Sequence, residues 1–347
     1  MQPVILMPAY KPDAKLFLET VQSIHQAGFT DIVIVDDGSG EDYSGSFQRA
    51  AQTPGAQVIY HAINMGKGRA IRTGFNHILQ HFPGRGVITC DADGQHPTDA
   101  VLKTAEAMEK HPSRLILAAR NFFEEKVPIA NLLGNTITRA VFLLLTGIWY
   151  ADTQCGLRGY PEKVIKALMP IKGERYEFEN TMLLSVRSKK IEVQEIPMKA
   201  VYIAGNATSH FNKVTDSARI YAAILPFAGV PFFAGLITVS LYYILLAANN
   251  LATPYEAVIS AAAAYMAGWL IEAVFMKRRF LPGLLTGVLL SAAFTGLVYV
   301  LHALANMSAT GAFWISVIPF MPLSYTIWML LRHGKKPKVF KSNIKQD

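Results

Sequence analysis

Acidic residues are nearly missing from the C-terminal part of this chain. Residues 227–347 hold 3 Asp+Glu against 9 Lys+Arg, whereas residues 1–226 hold 22 against 24. The surplus behind the overall charge of +8 therefore sits mostly in the later part, which is also the most apolar. That placement points to a membrane surface and away from nucleic acid. Charged residues make up only 17% of the chain and hydrophobic ones 51%, which argues against an ordinary soluble protein. Cysteine is equally scarce: Cys90 and Cys155 are the only two. They suggest no disulfide framework and suit a reducing compartment. None of the histidines, His96 included, has the spacing of a zinc site. A P-loop is missing as well, because Asn64-Met65-Gly66-Lys67-Gly68 lacks the four residues required between Gly and Gly-Lys. The opening stretch has no basic n-region and reads as a first strand instead of a signal peptide.

What the apolar part does have is length. Stretches near 227–248, 255–276, 281–305 and 311–331 each reach about 20 residues, enough to span a hydrocarbon core. The connections 249–254 and 306–310 contain no Lys or Arg, whereas 277–279 is Lys-Arg-Arg and six basic residues follow position 331. By the positive-inside rule, the N-terminal domain and the C-terminus then face the cytoplasm. The expected organisation is a domain over 1–213, an amphipathic interfacial linker helix over 214–226, four spans over 227–331 and a basic cytoplasmic tail over 332–347. Residues 129–149 are too apolar for a surface helix and suit either a bilayer interface or core packing. Glu272 lies about one turn from Lys277-Arg278-Arg279, so an interfacial ion pair is preferred to an intramembrane functional carboxylate.

The N-terminal domain alternates strand and helix patterns. Apolar runs at 3–7, 31–35, 56–60, 86–90 and 114–118 are separated by helix-like stretches near 13–27, 43–52, 67–81 and 98–110. This predicts an α/β fold, a largely parallel sheet with helices on both faces. Ligands on such sheets sit at the carboxyl ends of strands. Three strand ends carry polar motifs: Pro8-Ala9-Tyr10, Asp36-Asp37-Gly38-Ser39 and Asp91-Ala92-Asp93-Gly94-Gln95-His96. Asp91 and Asp93, one residue apart at a strand end and followed by the amide of Gln95, form an oxygen donor set suited to Mg²⁺ or Mn²⁺ beside a diphosphate. Asp36 and Asp37 also admit a plainer role, shaping the turn before Gly38.

Taken with Asn64–Gly68, Ala119-Arg120 and Asp152-Thr153-Gln154-Cys155-Gly156-Leu157-Arg158, these motifs resemble family 2 glycosyltransferases of the GT-A fold. More narrowly, they resemble the polyprenyl-phosphate glycosyltransferases related to dolichyl-phosphate mannose synthase. The resemblance covers about the first 220 residues, and the four-span region is similar to a small GtrA-like membrane module. It implies a nucleotide-diphospho-sugar donor held by Pro8, Ala9, Tyr10, Asp36, Asp37, Lys67, Asp91, Ala92 and Asp93. It implies Mg²⁺ or Mn²⁺ on Asp91, Asp93 and Gln95, with Asp93, Arg120 and Asp152 serving catalysis. The acceptor would be a polyprenyl (undecaprenyl-type) phosphate delivered from the bilayer of a bacterial-type inner membrane. Its phosphate is assigned to Asn135, Arg139, Arg158, His210 and Lys213. The implied partners are thus donor, lipid acceptor and bilayer, with no nucleic acid, and a homo-oligomer is compatible with them.

Several positions leave alternatives open. Asp152 suits either acceptor activation or a cap on the Thr153–Arg158 loop. Arg158 suits either a phosphate contact or a loop anchor, and Glu177 and Glu179 suit either the site or a solvated face. The archaeal and eukaryotic synthases carry an acid where this chain has Pro12, with Asp13 as a substitute. They carry a basic residue near Asn131 and an Arg–Gly–Ser–Lys element where Gly205–Phe211 stands. A processive polysaccharide synthase is a second reading, against which the missing Gln-x-x-Arg-Trp run argues. A third is a lipid-sugar translocator or scaffold with a degenerate transferase domain. Retention of Asp91, Asp93, Gln95 and Arg120 argues against that one. UDP-glucose, UDP-N-acetylglucosamine and GDP-mannose all remain open as donors.

Overall fold

The computed structural model describes residues 2–120, 129–199, 262–270, 280–304, 311–317 and 339–341, with isolated positions between 215 and 331. The chain forms two compact units, Met1–Ile224 with Pro337–Asp347, and Leu225–Lys336. His210, Lys213 and Glu272, singled out from the sequence, lie outside the described residues.

In the first unit, β1 (Val4–Ala9), β2 (Ile32–Asp36), β3 (Ala56–Tyr60), β4 (Val87–Thr89) and β5 (Leu115–Arg120) alternate with helices. These are α1 (Ala14–Gln26), α2 (Ser44–Ala51), α3 (Lys67–His81) and α4 (Thr98–Lys110). There follow α5 (Ile129–Thr146), β6 (Arg158–Tyr160), α6 (Glu162–Leu168), α7 (Glu177–Lys189) and β7 (Val193–Met198). The sheet runs β3-β2-β1-β4-β6-β5-β7-β8, where β8 is Val339–Lys341. Only β6 is antiparallel to its neighbours, β4 and β5. Every residue of β1 and β2 is buried, as expected of strands covered on both faces. That double coverage is why they read as unbroken apolar runs.

Register decides what meets at the rim. Ala9 of β1 lies opposite Asp36 of β2, and the Asp37 N–H donates to the Ala9 carbonyl at 2.8 Å. The turn after β1 is tied across as well, with the Lys11 N–H donating to Ser39 Oγ at 2.8 Å. Asp13 caps α1 by accepting from the N–H groups of Lys15 and Leu16. The β1 and β2 ends are therefore fixed against each other by backbone and short side chains.

The segment expected as a basic tail also carries the last strand of the sheet. Val339 and Phe340 extend the sheet parallel to β7. The Arg114 guanidinium stands 3.6 Å from the Phe340 ring centroid, and Gln194 Nε2 donates to the Phe340 carbonyl at 3.2 Å. The pair Val-Phe is the apolar point in an otherwise lysine-rich run. It supplies the β-branched and aromatic side chains that a sheet edge accepts.

In the second unit, Leu281–Ala303 is the one helix among the described residues long and apolar enough to cross a membrane. Phe294 is buried against Tyr265, Phe313 and Phe320. Leu281, Leu285 and Leu289, four residues apart, lie on one exposed stripe. The other three expected spans are described only in part, 227–248 least of all.

Candidate active site

A cavity of roughly 360 Å³ opens at the carboxyl ends of β1, β2 and β4. Its lining gathers Pro8, Ala9, Tyr10, Asp37, Lys67, Asp91, Ala92 and Asp93 from four separate stretches of sequence. It also includes residues the sequence reading did not single out, among them Arg175, Tyr176, Thr215 and Arg219. Asp36, expected at the same site, is buried behind it and accepts from the Ser39 N–H at 2.9 Å.

Asp37 is committed to architecture. Its carboxylate accepts from the N–H groups of Met65 and Gly66 at 3.0 and 2.7 Å, and from Asn64 Nδ2 at 3.1 Å. His61 Nδ1 approaches it at 2.7 Å, while Nε2 of that ring lies 2.9 Å from Thr73 Oγ1. With Nδ1 as donor, Nε2 accepts from the threonine hydroxyl, and the ring is satisfied while neutral. Asp37 thus holds the Asn64–Gly66 loop and presents one edge to the cavity.

That loop sets Lys67. Gly66 has φ +104°, and a Cβ there would come within 2.6 Å of the Glu174 carbonyl; one on Gly68 would meet Phe178 Cβ at 2.5 Å. Both glycines let the start of α3 press onto the segment leading into α7. Lys67 Nζ then lies 2.8 Å from Asp91 and 3.0 Å from Glu179. Burial alone would depress the ammonium, but the two carboxylates outweigh it and hold Lys67 well above its ordinary pKa. The undecided Glu179 therefore joins the site through Lys67, buried and outside the lining of the cavity itself. Glu177 instead accepts from the N–H groups of Glu174 and Arg175. Arg175 Nη1 reaches Asn64 Oδ1 at 3.2 Å.

The third strand end is less fully satisfied. Burial raises the Asp91 carboxyl, but Lys67 and His96 bring it below its usual range. Asp93 goes the other way, raised by burial and then by the charge of Asp91. Its Oδ1 accepts from the Gln95 N–H at 3.1 Å. His96 Nδ1 accepts from the Asp91 N–H at 3.0 Å, and burial lowers the pKa of this ring despite the two carboxylates. No cluster of three or more His, Cys, Asp or Glu residues capable of holding a metal occurs among the described residues. Two carboxylates one residue apart, open to a cavity, nevertheless fit Mg²⁺ or Mn²⁺. Magnesium in particular takes one or two carboxylates and completes its shell with water and phosphate oxygens.

Residues 4–166 match the family model described as Glycosyl transferase family 2. A protein of Methanococcus voltae, UDP-N-acetylglucosamine–dolichyl-phosphate N-acetylglucosaminyltransferase, is 26% identical, the match covering 57% of this chain and 85% of that one. An uncharacterized Methanocaldococcus jannaschii protein is likewise 26% identical over 64% of this chain and 90% of its own length. The undecaprenyl-phosphate 4-deoxy-4-formamido-L-arabinose transferase of Edwardsiella ictaluri is 30% identical, with 54% of this chain and 58% of that one covered.

Within the first unit, the sheet beyond β4 carries a second polar group. Arg120, ending β5, directs Nε and Nη2 at the Asp152 carboxylate, at 2.6 and 3.2 Å. Asp152 has no exposed side-chain surface and also accepts from the Gln154 N–H at 2.9 Å. Its carboxylate holds Arg120 and its own loop, one of the two roles left open from the sequence. Arg158 is buried, and its guanidinium donates to the carbonyls of Cys155, Glu179 and Thr153, which anchors the loop over β6. Asn135 is buried with its Oδ1 near the Thr153 N–H and hydroxyl, at 3.4 and 3.3 Å. It too serves this loop. Arg139 alone of the described acceptor candidates retains surface, with its guanidinium 4.5 Å from the exposed Trp149 ring. Both cysteines are free and buried; burial pushes the Cys155 thiol up to about 12.

Proposed function

We propose that the protein is a membrane-bound inverting glycosyltransferase that moves a sugar from a nucleoside diphosphate to a polyprenyl phosphate on the cytoplasmic leaflet. The observation that carries this reading is the cavity at the three strand ends, where Asp91, Asp93 and Lys67 line one wall. The curated relatives named for dolichyl- and undecaprenyl-phosphate transfer support the acceptor class. The sugar and base remain for experiment to assign.

The geometry suggests how the residues would act. A bound Mg²⁺ or Mn²⁺ on Asp91 and Asp93, with Gln95 nearby, would offset the charge that builds on the departing diphosphate. Lys67, Arg175 and Arg219 add fixed cations around the same cavity. An oxygen of the lipid phosphate attacks the anomeric carbon as the bond from that carbon to the diphosphate oxygen breaks. A phosphate monoester is largely ionised at neutral pH, so no strong base is required. Arg120, steadied by Asp152, is positioned to guide an anionic group at the β5 end. Positioning and electrostatics supply the acceleration.

Three features support attachment to a bilayer. Leu281, Leu285 and Leu289 form an exposed apolar stripe on the long helix. Leu143 and Trp149 are exposed near the end of α5, the placement expected of an interfacial helix. Finally, the chain leaves the transferase unit at Ile224 and returns to it at Pro337. If the intervening segment crosses a bilayer, a return to the same side requires an even number of crossings, in keeping with four spans.

The deciding experiment incubates the full chain in detergent with a panel of nucleotide-sugars and short-chain polyprenyl phosphate, with and without EDTA. Formation of an acid-labile lipid-phosphate sugar from one donor, lost with EDTA and regained with Mn²⁺, is the expected result. Nucleotide binding without a lipid product from any donor would overturn the acceptor assignment.

A further inference from the structure

We propose that Lys67 and Glu179 form a displaceable latch on the metal-binding carboxylate Asp91. Lys67 would compete with the divalent cation for Asp91, and Glu179 would receive the ammonium once the cation has arrived. The inference rests on the metal-assisted transferase reading above and deepens it. Glu179 becomes a positioning residue that acts through Lys67.

The argument starts from charge. Lys67 and Asp91 line the cavity and Glu179 lies buried against Lys67, so one ammonium serves two carboxylates, with Arg158 the next positive charge felt by both. A divalent cation on Asp91 and Asp93 would change that sharing. Without it, the ammonium is shared, 2.8 Å from Asp91 and 3.0 Å from Glu179. A cation binding Asp91 at about 2 Å cannot leave an ammonium on the same oxygen, since two cations in contact repel strongly at low effective dielectric. The lysine must yield that contact, and Glu179 is already in place to keep it.

Glu179 is built for such a role and little else. It is buried, it sits on α7, and its Oε2 faces Lys67 while its Oε1 is buried without a hydrogen-bond partner. A buried carboxylate oxygen left unpaired is costly. A second ammonium proton from Lys67, freed from Asp91, would satisfy it. The backbone around Glu179 is pinned from below by Arg158, whose Nη1 donates to the Glu179 carbonyl at 2.8 Å. The receiving carboxylate is thus fixed while the lysine side chain moves.

The test uses Mn²⁺ alone, without nucleotide, titrated into the purified full chain in detergent and read by the EPR signal of free Mn²⁺. Lys67→Met should tighten Mn²⁺ binding about tenfold, the effect of removing a contacting cation from a partly buried site. Glu179→Gln should weaken it by roughly threefold, because Lys67 then has Asp91 as its only carboxylate. Arg175→Met removes a cation from the same cavity that is paired with Asn64 instead of Asp91, and should leave affinity within about twofold. A gain in affinity cannot come from a damaged fold, and the opposite sign for Glu179→Gln supplies an independent check should Lys67→Met fold poorly. Unchanged or weaker binding in folded Lys67→Met, or equal tightening in Arg175→Met, would overturn the latch. Wild-type protein that transfers sugar in EDTA and binds no Mn²⁺ would overturn the metal reading together with it, an outcome distinct from both.

Discussion

Two strand ends of this molecule carry paired acids, and they have been put to different uses. At the end of β2, Asp36 and Asp37 are buried, and Asp37 alone draws in Met65, Gly66, Asn64 and His61. Four donors, none of them a fixed positive charge, complete that carboxylate, and what results is a turn with a loop tied to it. At the end of β4, Asp91 leans on a lysine and Asp93 is raised by burial and by its neighbour. That second pair leans on one close ammonium and borders an open cavity. Similar residues at similar rim positions thus divide into a finished structural joint and an unfinished binding site. The number and kind of donors around each carboxylate separate them, and the acids themselves do not.

The largest expected effect sharpens this contrast. Asp93→Asn should leave the fold intact, since burial and Asp91 disfavour its ionised form in the absence of a cation. Turnover should nevertheless fall by about a thousandfold, the scale of losing one electrostatic stabiliser at a reacting centre. Steady-state kinetics at saturating Mn²⁺, paired with thermal melting, provide the check. A large loss of stability with modest loss of rate would erase the distinction between the two strand ends.

Asp37→Asn should show the converse. The amide keeps one acceptor but turns an NH₂ toward donors that need an oxygen. Stability should fall by about 2–4 kcal/mol, the range for leaving buried donors unsatisfied. Urea unfolding monitored by far-UV circular dichroism measures it. Mn²⁺ affinity of the folded fraction should change little, because Asp37 touches neither Asp91 nor Asp93 in the described contacts.

This difference was only half visible in the sequence. The β–α alternation through β5 and three of the cavity's strand-end motifs follow from local pattern, because doubly covered strands and amphipathic helices repeat at fixed periods. β6 and β8 are three residues each, too short to leave a periodic trace. β8 lies over a hundred residues from the strand it pairs with, and nothing local marks a Val-Phe pair among lysines as a sheet edge. The role of Glu179 was hidden for another reason: α7 is buried over most of its length, so no polar face distinguishes a site residue from a packed one. Gly66 and Gly68 were the available clue, since each is needed for contact with the segment leading into α7. The donor environment of Asp37, and the carbonyls that absorb Arg158, arise from tertiary packing and leave no sequence spacing to read.

Deleting residues 337–347 provides the smallest effect and the control for the other two. It removes β8, the ring under Arg114 and the acceptor for Gln194 Nε2, and leaves every residue of the cavity in place. An edge strand of this length with one half-buried aromatic contact should contribute about 1–2 kcal/mol, read as a fall in the melting temperature of the first unit. Mn²⁺ affinity should stay at the wild-type value. If it does, a stability loss of similar kind in Asp37→Asn cannot by itself account for changes at the β4 end, and the two acidic pairs are separable. If affinity falls with the tail removed, the cavity responds to the stability of the whole sheet, and the contrast between a finished and an unfinished strand end gives way to a single cooperative rim.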